Sequence, residues 1–169
     1  MISAFSNIFP KIDKSAFVHK MAILIGDVII RKRSNIWPGA VLRGDMGRID
    51  IGEETSIQDN CVCHATKNIS ITTVGNRVVV GHKAVLHGCK IGDKCLIGMG
   101  SILLDNSVIG SGSLIAAGSI IKSGMQIPCN SFVVGIPATV KRQTTCKERS
   151  MIEEGCRSYL EHLKIYCNL

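Results

Sequence analysis

Residues 91–133 read IGDKCLIGMGSILLDNSVIGSGSLIAAGSIIKSGMQIPCNSFV, and an aliphatic residue returns at every sixth position. The members of this series are Ile91, Ile97, Leu103, Ile109, Ile115, Ile121, Ile127 and Val133. A small residue often stands four positions after the aliphatic one, and glycine or alanine often follows it directly. A period of six does not fit a continuous amphipathic helix. It fits short strands joined by tight corners, with one aliphatic side chain per strand pointing inward, and so predicts a solenoid.

The same period extends upstream with interruptions. It is expected at Ile25, Trp37 and Arg43, then at Ile51, Ile57 and Cys63, then at Val74 and Val80, and after a slip at Val85. The slips predict two loops, one around Met46–Asp50 and one from Ala65 to Thr73. Three strands would close a triangular coil, and coils would stack at the strand spacing of about 4.8 Å. An ordinary β-sandwich is the alternative, but it needs alternation along longer strands.

The segment from Thr144 to Tyr166 breaks the hexapeptide pattern. Thr145 and Glu148 have the spacing of a capping box at a helix N-terminus. Apolar or aromatic residues then recur at helical spacing, at Ile152, Cys156, Tyr159, Leu163 and Tyr166. We therefore predict a β-helix domain at residues 1–142 and a C-terminal amphipathic helix at residues 143–169, packed on the coil or on a neighbouring subunit.

Composition excludes several classes of protein. The N-terminus lacks a basic flank followed by a long apolar run, and no apolar stretch approaches the roughly 20 residues of a membrane span. We expect a soluble cytoplasmic protein that does not bind membranes. Its eight cysteines are then expected to be buried free thiols, since disulfides are rare in a reducing compartment.

The formal charge of +7 raises the question of nucleic-acid binding. The basic runs are short, at Arg31-Lys32-Arg33 and Lys141-Arg142, and no aromatic residues are interleaved with them as a stacking platform. We expect no nucleic-acid partner. These charges suit a solvated face, with attraction of small anions such as bicarbonate or coenzyme A phosphates as a second role.

Three histidines, His64, His82 and His87, lie close together in the sequence. His64 and His82 are separated by three hexapeptides, which is one coil if no loop intervenes, so the three should lie at nearly one level. Three imidazoles can bind a metal and leave a position open for water, whose pKa such a metal lowers to about 7. Taken singly, each histidine would instead be a corner residue bonded to a backbone carbonyl. His19 and His162 stand apart and are interpreted as structural or exposed.

Several segments together resemble the gamma-class carbonic anhydrase family. They are IQDNCVCH at 57–64, VGHKAVLHGC at 80–89, LIGMG at 96–100, WPGAVLRGD at 37–45 and VVGIPA at 133–138. The resemblance covers nearly the whole chain. Its specific part is the ordered spacing of the histidines, because many acyltransferases share the hexapeptides.

The resemblance implies an all-β solenoid: a left-handed parallel β-helix with a C-terminal α-helix. It implies a homotrimer with metal sites at the subunit interfaces, where one chain supplies His64 and His87 and the next supplies His82. The metal would be Zn²⁺, with Fe²⁺ or Co²⁺ as alternatives. The reaction would be reversible hydration of CO₂ to bicarbonate by a metal-bound hydroxide.

Further roles follow from the same resemblance. Arg43 and Asp45 match an inter-subunit ion pair beside the metal, although without the family they would be interpreted as a corner salt bridge. Gln58 and Asp59 shortly precede the first ligand histidine, and the Gln58 amide would hold the metal-bound water or bicarbonate. An amide that only stacks along the coil is the alternative.

Two more residues near the predicted site have competing interpretations. Tyr159 on the helix would donate its hydroxyl into the metal pocket, or simply pack. Cys63, beside His64, is a conceivable thiolate ligand, but it occupies an inward aliphatic position and is interpreted as core.

The chain also departs from the family pattern. Efficient members place glutamates at the positions of Met46 and Lys67, where they carry protons away from the metal-bound water. Without them the anhydrase activity is expected to be weak. Two other functions stay open: a coenzyme A-dependent acyltransferase or thioesterase, suggested by the repeat and by the ending Gly135-Ile136-Pro137-Ala138, and a non-catalytic metal-binding scaffold.

Overall fold

The computed structural model describes residues 1–166 as a three-faced parallel β-helix of about seven turns followed by one helix. The first face holds β8 (Val62–His64), β11 (Val85–His87), β14 (Ile102–Leu103) and β17 (Ile120–Ile121). The second holds β9 (Thr72–Val74), β12 (Lys90–Ile91), β15 (Val108–Ile109) and β18 (Gln126–Ile127). The third holds β3 (Phe17–Val18), β5 (Asn35–Ile36), β7 (Ser56–Ile57), β10 (Val79–Val80), β13 (Leu96–Ile97), β16 (Leu114–Ile115), β19 (Ser131–Gly135) and β20 (Ala138–Gln143). Neighbours on each face are parallel except β19 and β20, which are antiparallel. The predicted fold class is confirmed.

Two long strands join the first and second faces around one corner. They are β4 (Ile23–Ile30) and β6 (Val41–Ile51), and the short β1 (Ile2–Ser3) and β2 (Lys11–Ile12) pair with β4. The register between β4 and β6 shifts after Gly26, so that β6 carries extra residues there. The predicted loop at Met46–Asp50 is therefore wrong, because a bulge within a continuous strand accommodates the insertion. The second predicted loop, from Ala65 to Thr73, is present between β8 and β9 but ends two residues earlier, because Thr72 and Thr73 belong to β9.

The core is the column of inward aliphatic side chains. All eight members of the series from Ile91 to Val133 are at most 3% exposed, and Ile51, Ile57 and Cys63 are fully buried. Two parts of the upstream phase are wrong by one position. The inward residues there are Leu24, Ile36 and Leu42 instead of Ile25, Trp37 and Arg43, and Leu86 instead of Val85. The inward residues keep the spacing of six, from Leu24 through Ile30 and Ile36 to Leu42 and from Val80 to Leu86. The predicted phase was wrong because neighbouring positions such as Ile25 and Val85 are aliphatic too.

The C-terminal helix α1 (Cys146–Tyr166) begins where the capping box predicted it. The Thr145 amide donates to the Glu148 carboxylate at 2.7 Å, and the Glu148 amide donates to the Thr145 hydroxyl at 3.2 Å. The helix packs on the third face of its own chain, since the Cys156 thiol contacts the carbonyl of Arg77 at 3.0 Å. Residues 167–169 of the predicted helical segment lie outside the described residues.

Seven cysteines lie in the described residues, and all are free thiols. Five are buried, but Cys129 and Cys146 are exposed, so the expectation of burial is wrong for these two. Burial raises the pKa of Cys89 and of Cys95 to about 12, which keeps these core thiols protonated. Cys63 is buried in the core, as its place in the repeat predicted. No helix within residues 1–166 is long and apolar enough to cross a membrane.

Candidate metal centre

Two of the three predicted ligand histidines stack on successive coils of the first face. His64 ends β8 and His87 ends β11, and the two residues are paired in register. Nδ1 of His64 lies 3.2 Å from Nε2 of His87. The sequence spacing had suggested His64 and His82 as coil neighbours. The loop between β8 and β9 lengthens this coil, so the stacked pair is 23 residues apart.

Each of these imidazoles has a carboxylate on its other nitrogen. Nε2 of His64 lies 3.0 Å from an Asp45 oxygen, and Nδ1 of His87 lies 3.2 Å from an Asp105 oxygen. Carboxylates accept hydrogen bonds, so these outer nitrogens carry the protons in the neutral rings. With the outer nitrogens protonated, both inner nitrogens present lone pairs at 3.2 Å, so the pair can hold a proton or a metal cation between the rings.

Both carboxylates are held in the ionised form. Burial acts to raise the pKa of Asp45, but hydrogen bonds from Arg43 and His64 outweigh it, and the net pKa is lowered. Burial also acts to raise the pKa of Asp105, but bonds from Ser70, Thr66 and His87 outweigh it and lower the net pKa.

The third histidine is at another corner of the coil. His82 lies in the turn between β10 and β11, and its side chain is 44% exposed. Its Nδ1 lies 2.8 Å from an Asp59 carboxylate oxygen. Its backbone N–H donates to the side-chain oxygen of the buried Gln58 at 3.1 Å. Asp59 thus supports His82 as Asp45 and Asp105 support the other two rings, and all three histidines share one local pattern.

The His64–His87 pair fits part of a metal site. Two nitrogens bound to tetrahedral zinc at about 2.0–2.1 Å lie about 3.3 Å apart, close to the 3.2 Å between these rings. A carboxylate on the far nitrogen is the usual support of a metal-ligating histidine. Within residues 1–166, however, no group of three or more His, Cys, Asp or Glu side chains converges as a metal site. A metal bound by the His64–His87 pair would therefore need a further ligand that these residues do not bring to it.

The remaining predicted residues are placed as follows. Arg43 forms an ion pair with Asp45 in the same chain, through the carboxylate oxygen that His64 leaves free. Tyr159 packs on Trp37, with 5.6 Å between the ring centroids. Burial, with a smaller effect from the Asp59 charge, raises the pKa of Tyr159. The inter-subunit role of the ion pair and the hydroxyl-donor role of Tyr159 stay predictions.

Two hollows bear on the predicted site. One of about 440 Å³ is lined by Met46, Asn68, Ile69, Ser70 and Ile71 among others, so polar and apolar groups are mixed there. It includes Met46, one of the two positions where the family pattern has glutamates. Lys67 is exposed on the loop between β8 and β9. The other, of about 310 Å³, is largely apolar and is lined by Gln58, His82, Leu96, Met99 and Leu114 among others.

Sequence reasoning missed Asp105 and the loop residues that hold it. Thr66 donates to one Asp105 oxygen at 3.0 Å, and Ser70 donates to the other. One signal was available: Asp105 follows His87 by 18 residues, which is one regular coil. A carboxylate one coil beyond a candidate ligand is a natural partner for it.

The fold defines the chain as a hexapeptide-repeat β-helix protein. Residues 88–123 match a family model described as bacterial transferase hexapeptide, six repeats. A Bacillus cereus structure provisionally named an acetyltransferase has a TM-score of 0.95 and 38% identity, over 98% of this chain and 95% of that one.

Curated relatives narrow this class. A Methanocaldococcus jannaschii protein named "probable carbonic anhydrase" is 49% identical over 150 residues, which cover 89% of this chain and 94% of the relative. Gamma carbonic anhydrase 2, mitochondrial, of Arabidopsis thaliana is 41% identical over 94% of this chain, and the match covers 59% of that relative's length. The chain belongs to the gamma-class carbonic anhydrase-like family of hexapeptide-repeat proteins.

Proposed function

We propose that this protein is a metal-dependent, gamma-class carbonic anhydrase-like enzyme that hydrates CO₂ reversibly to bicarbonate. The observation that carries the proposal is the His64–His87 pair, whose inner nitrogens face each other at 3.2 Å while their outer nitrogens bond to carboxylates. Family membership supports the reaction class, since relatives at 49% and 41% identity are named probable carbonic anhydrase and gamma carbonic anhydrase 2.

The third ligand is His82 of a neighbouring subunit in a homotrimer. Its Nδ1 is occupied by Asp59, which leaves Nε2 of the half-exposed ring available to a metal shared with another chain. A site divided between chains explains why the ligands do not converge within one chain. Metal binding would then stabilise the trimer by mass action.

A bound Zn²⁺, Fe²⁺ or Co²⁺ would supply Lewis-acid activation of water for attack on CO₂. The protein's own residues provide the rest. Asp45, Asp105 and Asp59 fix the orientation of the three imidazoles. The largely apolar hollow beside His82 suits an uncharged, poorly hydrated gas, and the Gln58 amide at its edge orients water or bicarbonate.

Proton release is the weak step of this proposal. Each hydration cycle must pass one proton to solvent, and neither Met46 nor Lys67 supplies the carboxylate that carries it in efficient family members. We therefore expect slow turnover that rises with buffer concentration.

The test combines three measurements on one anaerobic preparation: metal content, mass by light scattering, and CO₂ hydration by stopped flow. The expected result is a trimer with one metal per chain and buffer-dependent hydration. A monomer that retains one tightly bound metal per chain would contradict the shared site. Metal-loaded protein with no activity above the free ion at any buffer concentration would contradict the anhydrase function.

A coenzyme A-dependent acyltransferase is the second candidate. It is favoured by the Bacillus cereus neighbour with an acetyltransferase name and by the transferase hexapeptide match. The histidines oppose it, because three carboxylate-supported imidazoles resemble a ligand set more than a single catalytic base. Saturable binding of acetyl coenzyme A to a metal-loaded protein without hydration activity would favour this candidate. Metal binding without either activity would indicate a scaffold.

A further inference from the structure

Asp105 is the point where the histidine pair meets the loop at residues 65–71. One Asp105 oxygen contacts Nδ1 of His87 at 3.2 Å and also accepts a hydrogen bond from Ser70. The other accepts from the Thr66 hydroxyl at 3.0 Å. The side chain is 24% exposed, so it is accessible to solvent only in part.

The loop is itself braced against both histidine strands. The Thr66 amide donates to the Ser70 hydroxyl at 3.0 Å. The Gly88 amide donates both to the His64 carbonyl at 3.0 Å and to the Thr72 hydroxyl at 2.9 Å. The backbone on either side of this insertion is therefore tied to the two residues that carry the imidazoles.

Gly88 provides the space for this arrangement. It follows His87 directly and has a φ of +63°. A Cβ added there would collide with the Asp105 carboxylate and with the Ser70 hydroxyl. A glycine at this position thus lets the carboxylate and the loop hydroxyl approach the histidine strand together.

We propose that Asp105 is a positioning residue for His87, and that loop 65–71 sets its position through Ser70 and Thr66. The carboxylate fixes the Nδ1–H tautomer of His87 and turns Nε2 towards His64. The inference rests on the proposed metal function. It adds that loop 65–71, which supplies no metal ligand, controls metal affinity through Asp105.

The competing explanation is that Asp105 only anchors the loop. Asp93 offers a matched comparison, because it occupies the same position of its hexapeptide, two hexapeptides earlier. Its carboxylate accepts hydrogen bonds from the backbone N–H of Asn76 at 2.7 Å and from the Asn76 side chain. It has no histidine contact among the described residues. Removal of either carboxylate loosens a turn, but only Asp105 would change a ligand.

The experiment compares Asp105→Ala, Asp105→Asn and Ser70→Ala with Asp93→Ala in the full-length protein. Metal affinity is measured by competition with a chelator, and the visible spectrum of bound Co²⁺ reports its coordination. Loss of a carboxylate that supports a ligand histidine typically weakens metal binding about 10- to 100-fold, which we expect for Asp105→Ala. Asp105→Asn keeps an acceptor for the Nδ1–H of His87 and should lose less metal affinity. Ser70→Ala should also lower the affinity. Asp93→Ala should match the wild-type protein in affinity and in the Co²⁺ spectrum.

A second readout needs no metal. Long-range ¹H–¹⁵N spectra of the metal-free protein should show His87 as the Nδ1–H tautomer in wild type and Asp93→Ala, and as a mixture in Asp105→Ala. If Asp105→Ala keeps that tautomer and wild-type affinity, the positioning role is refuted while the metal function stands. If wild type binds no metal, the proposed function fails, and the tautomer comparison still decides the role of Asp105.

Discussion

The coils at residues 91–133 and those at residues 41–88 use one architecture for different purposes. In the first region every strand before β19 is two residues long and one aliphatic side chain per strand is buried. The second contains the eleven-residue β6, its bulge and the loop before β9. All three candidate ligand histidines lie in the second region. The aliphatic core continues through both regions, but the insertions and the candidate histidines occur in the second one.

The comparison also explains how a solenoid acquires a site. In the regular region the corner positions carry buried serines that bond to the backbone of nearby turns, for example Ser113 to the carbonyl of Pro128 at 3.1 Å. In the irregular region the loop insertion brings Thr66 and Ser70 to a carboxylate of the following coil. The interruption therefore makes contacts that the strict repeat does not contain.

The largest effect is expected from His82→Ala in the irregular region. The side chain is 44% exposed, so its loss should leave the β-helix folded, while the two remaining imidazoles should bind metal far more weakly. Metal content by mass spectrometry and the circular dichroism spectrum test this. His19→Ala is the control and should keep full metal content. Full occupancy in His82→Ala would remove this residue from the ligand set.

The next effect concerns the stability of the regular region. Ile97 is fully buried, so Ile97→Ala should lower the free energy of unfolding by about 2–5 kcal/mol. Val62, on β8 of the irregular region, is 37% exposed, and Val62→Ala should change it by about 0.5 kcal/mol or less. Chemical denaturation measures both variants. Equal losses would contradict burial as the cause of the difference between the two positions.

Restoration of the missing glutamates should raise turnover. Met46→Glu with Lys67→Glu restores carboxylates at the two positions where the family pattern has glutamates, and a general base typically contributes about 10²-fold or more. We expect an increase in kcat of up to about that factor, with a weaker dependence on buffer. The measurement is stopped-flow hydration at several buffer concentrations. Met21→Glu with Lys122→Glu makes the same charge change at exposed sites, and an equal gain there would contradict a local proton-transfer role.

The smallest effect lies where the regular stack meets the helix. Hydrogen bonds from Arg142 and then Thr145 lower the pKa of Glu148 from its ordinary 4.5 to about 2. Because the folded-state pKa is depressed, the stabilisation is complete above about pH 4.5 and is lost as the pH falls towards 2. Glu148→Gln should cost about 1 kcal/mol or less at pH 7, and the difference should shrink at pH 3. Denaturation at both pH values measures it, with the exposed Glu161→Gln as control; a pH-independent difference would contradict this origin.

Sequence patterns predicted the helix more accurately than the irregular coils. Thr145, Glu148 and the stripe Ile152, Cys156 and Leu163 are local signals, because a capping box and a helical face depend on residues a few positions apart. The inward phase near Trp37 and Val85 was wrong by one position. There, the inward residues keep the sixfold spacing, for example Ile36 to Leu42 and Val80 to Leu86. Aliphatic residues also stand one position away, so the count alone did not fix the phase.

The sequence by itself determined the period of six, the aliphatic column and the helix cap, because each is a repeated or short-range pattern. It also supplied the three candidate histidines and the family resemblance. Only the tertiary structure decided which histidines stack, since residue pairs across coils depend on the length of the loop between β8 and β9. It likewise revealed Asp105 as the partner of His87. A hydrogen bond between separate coils is fixed by the register of their stacking.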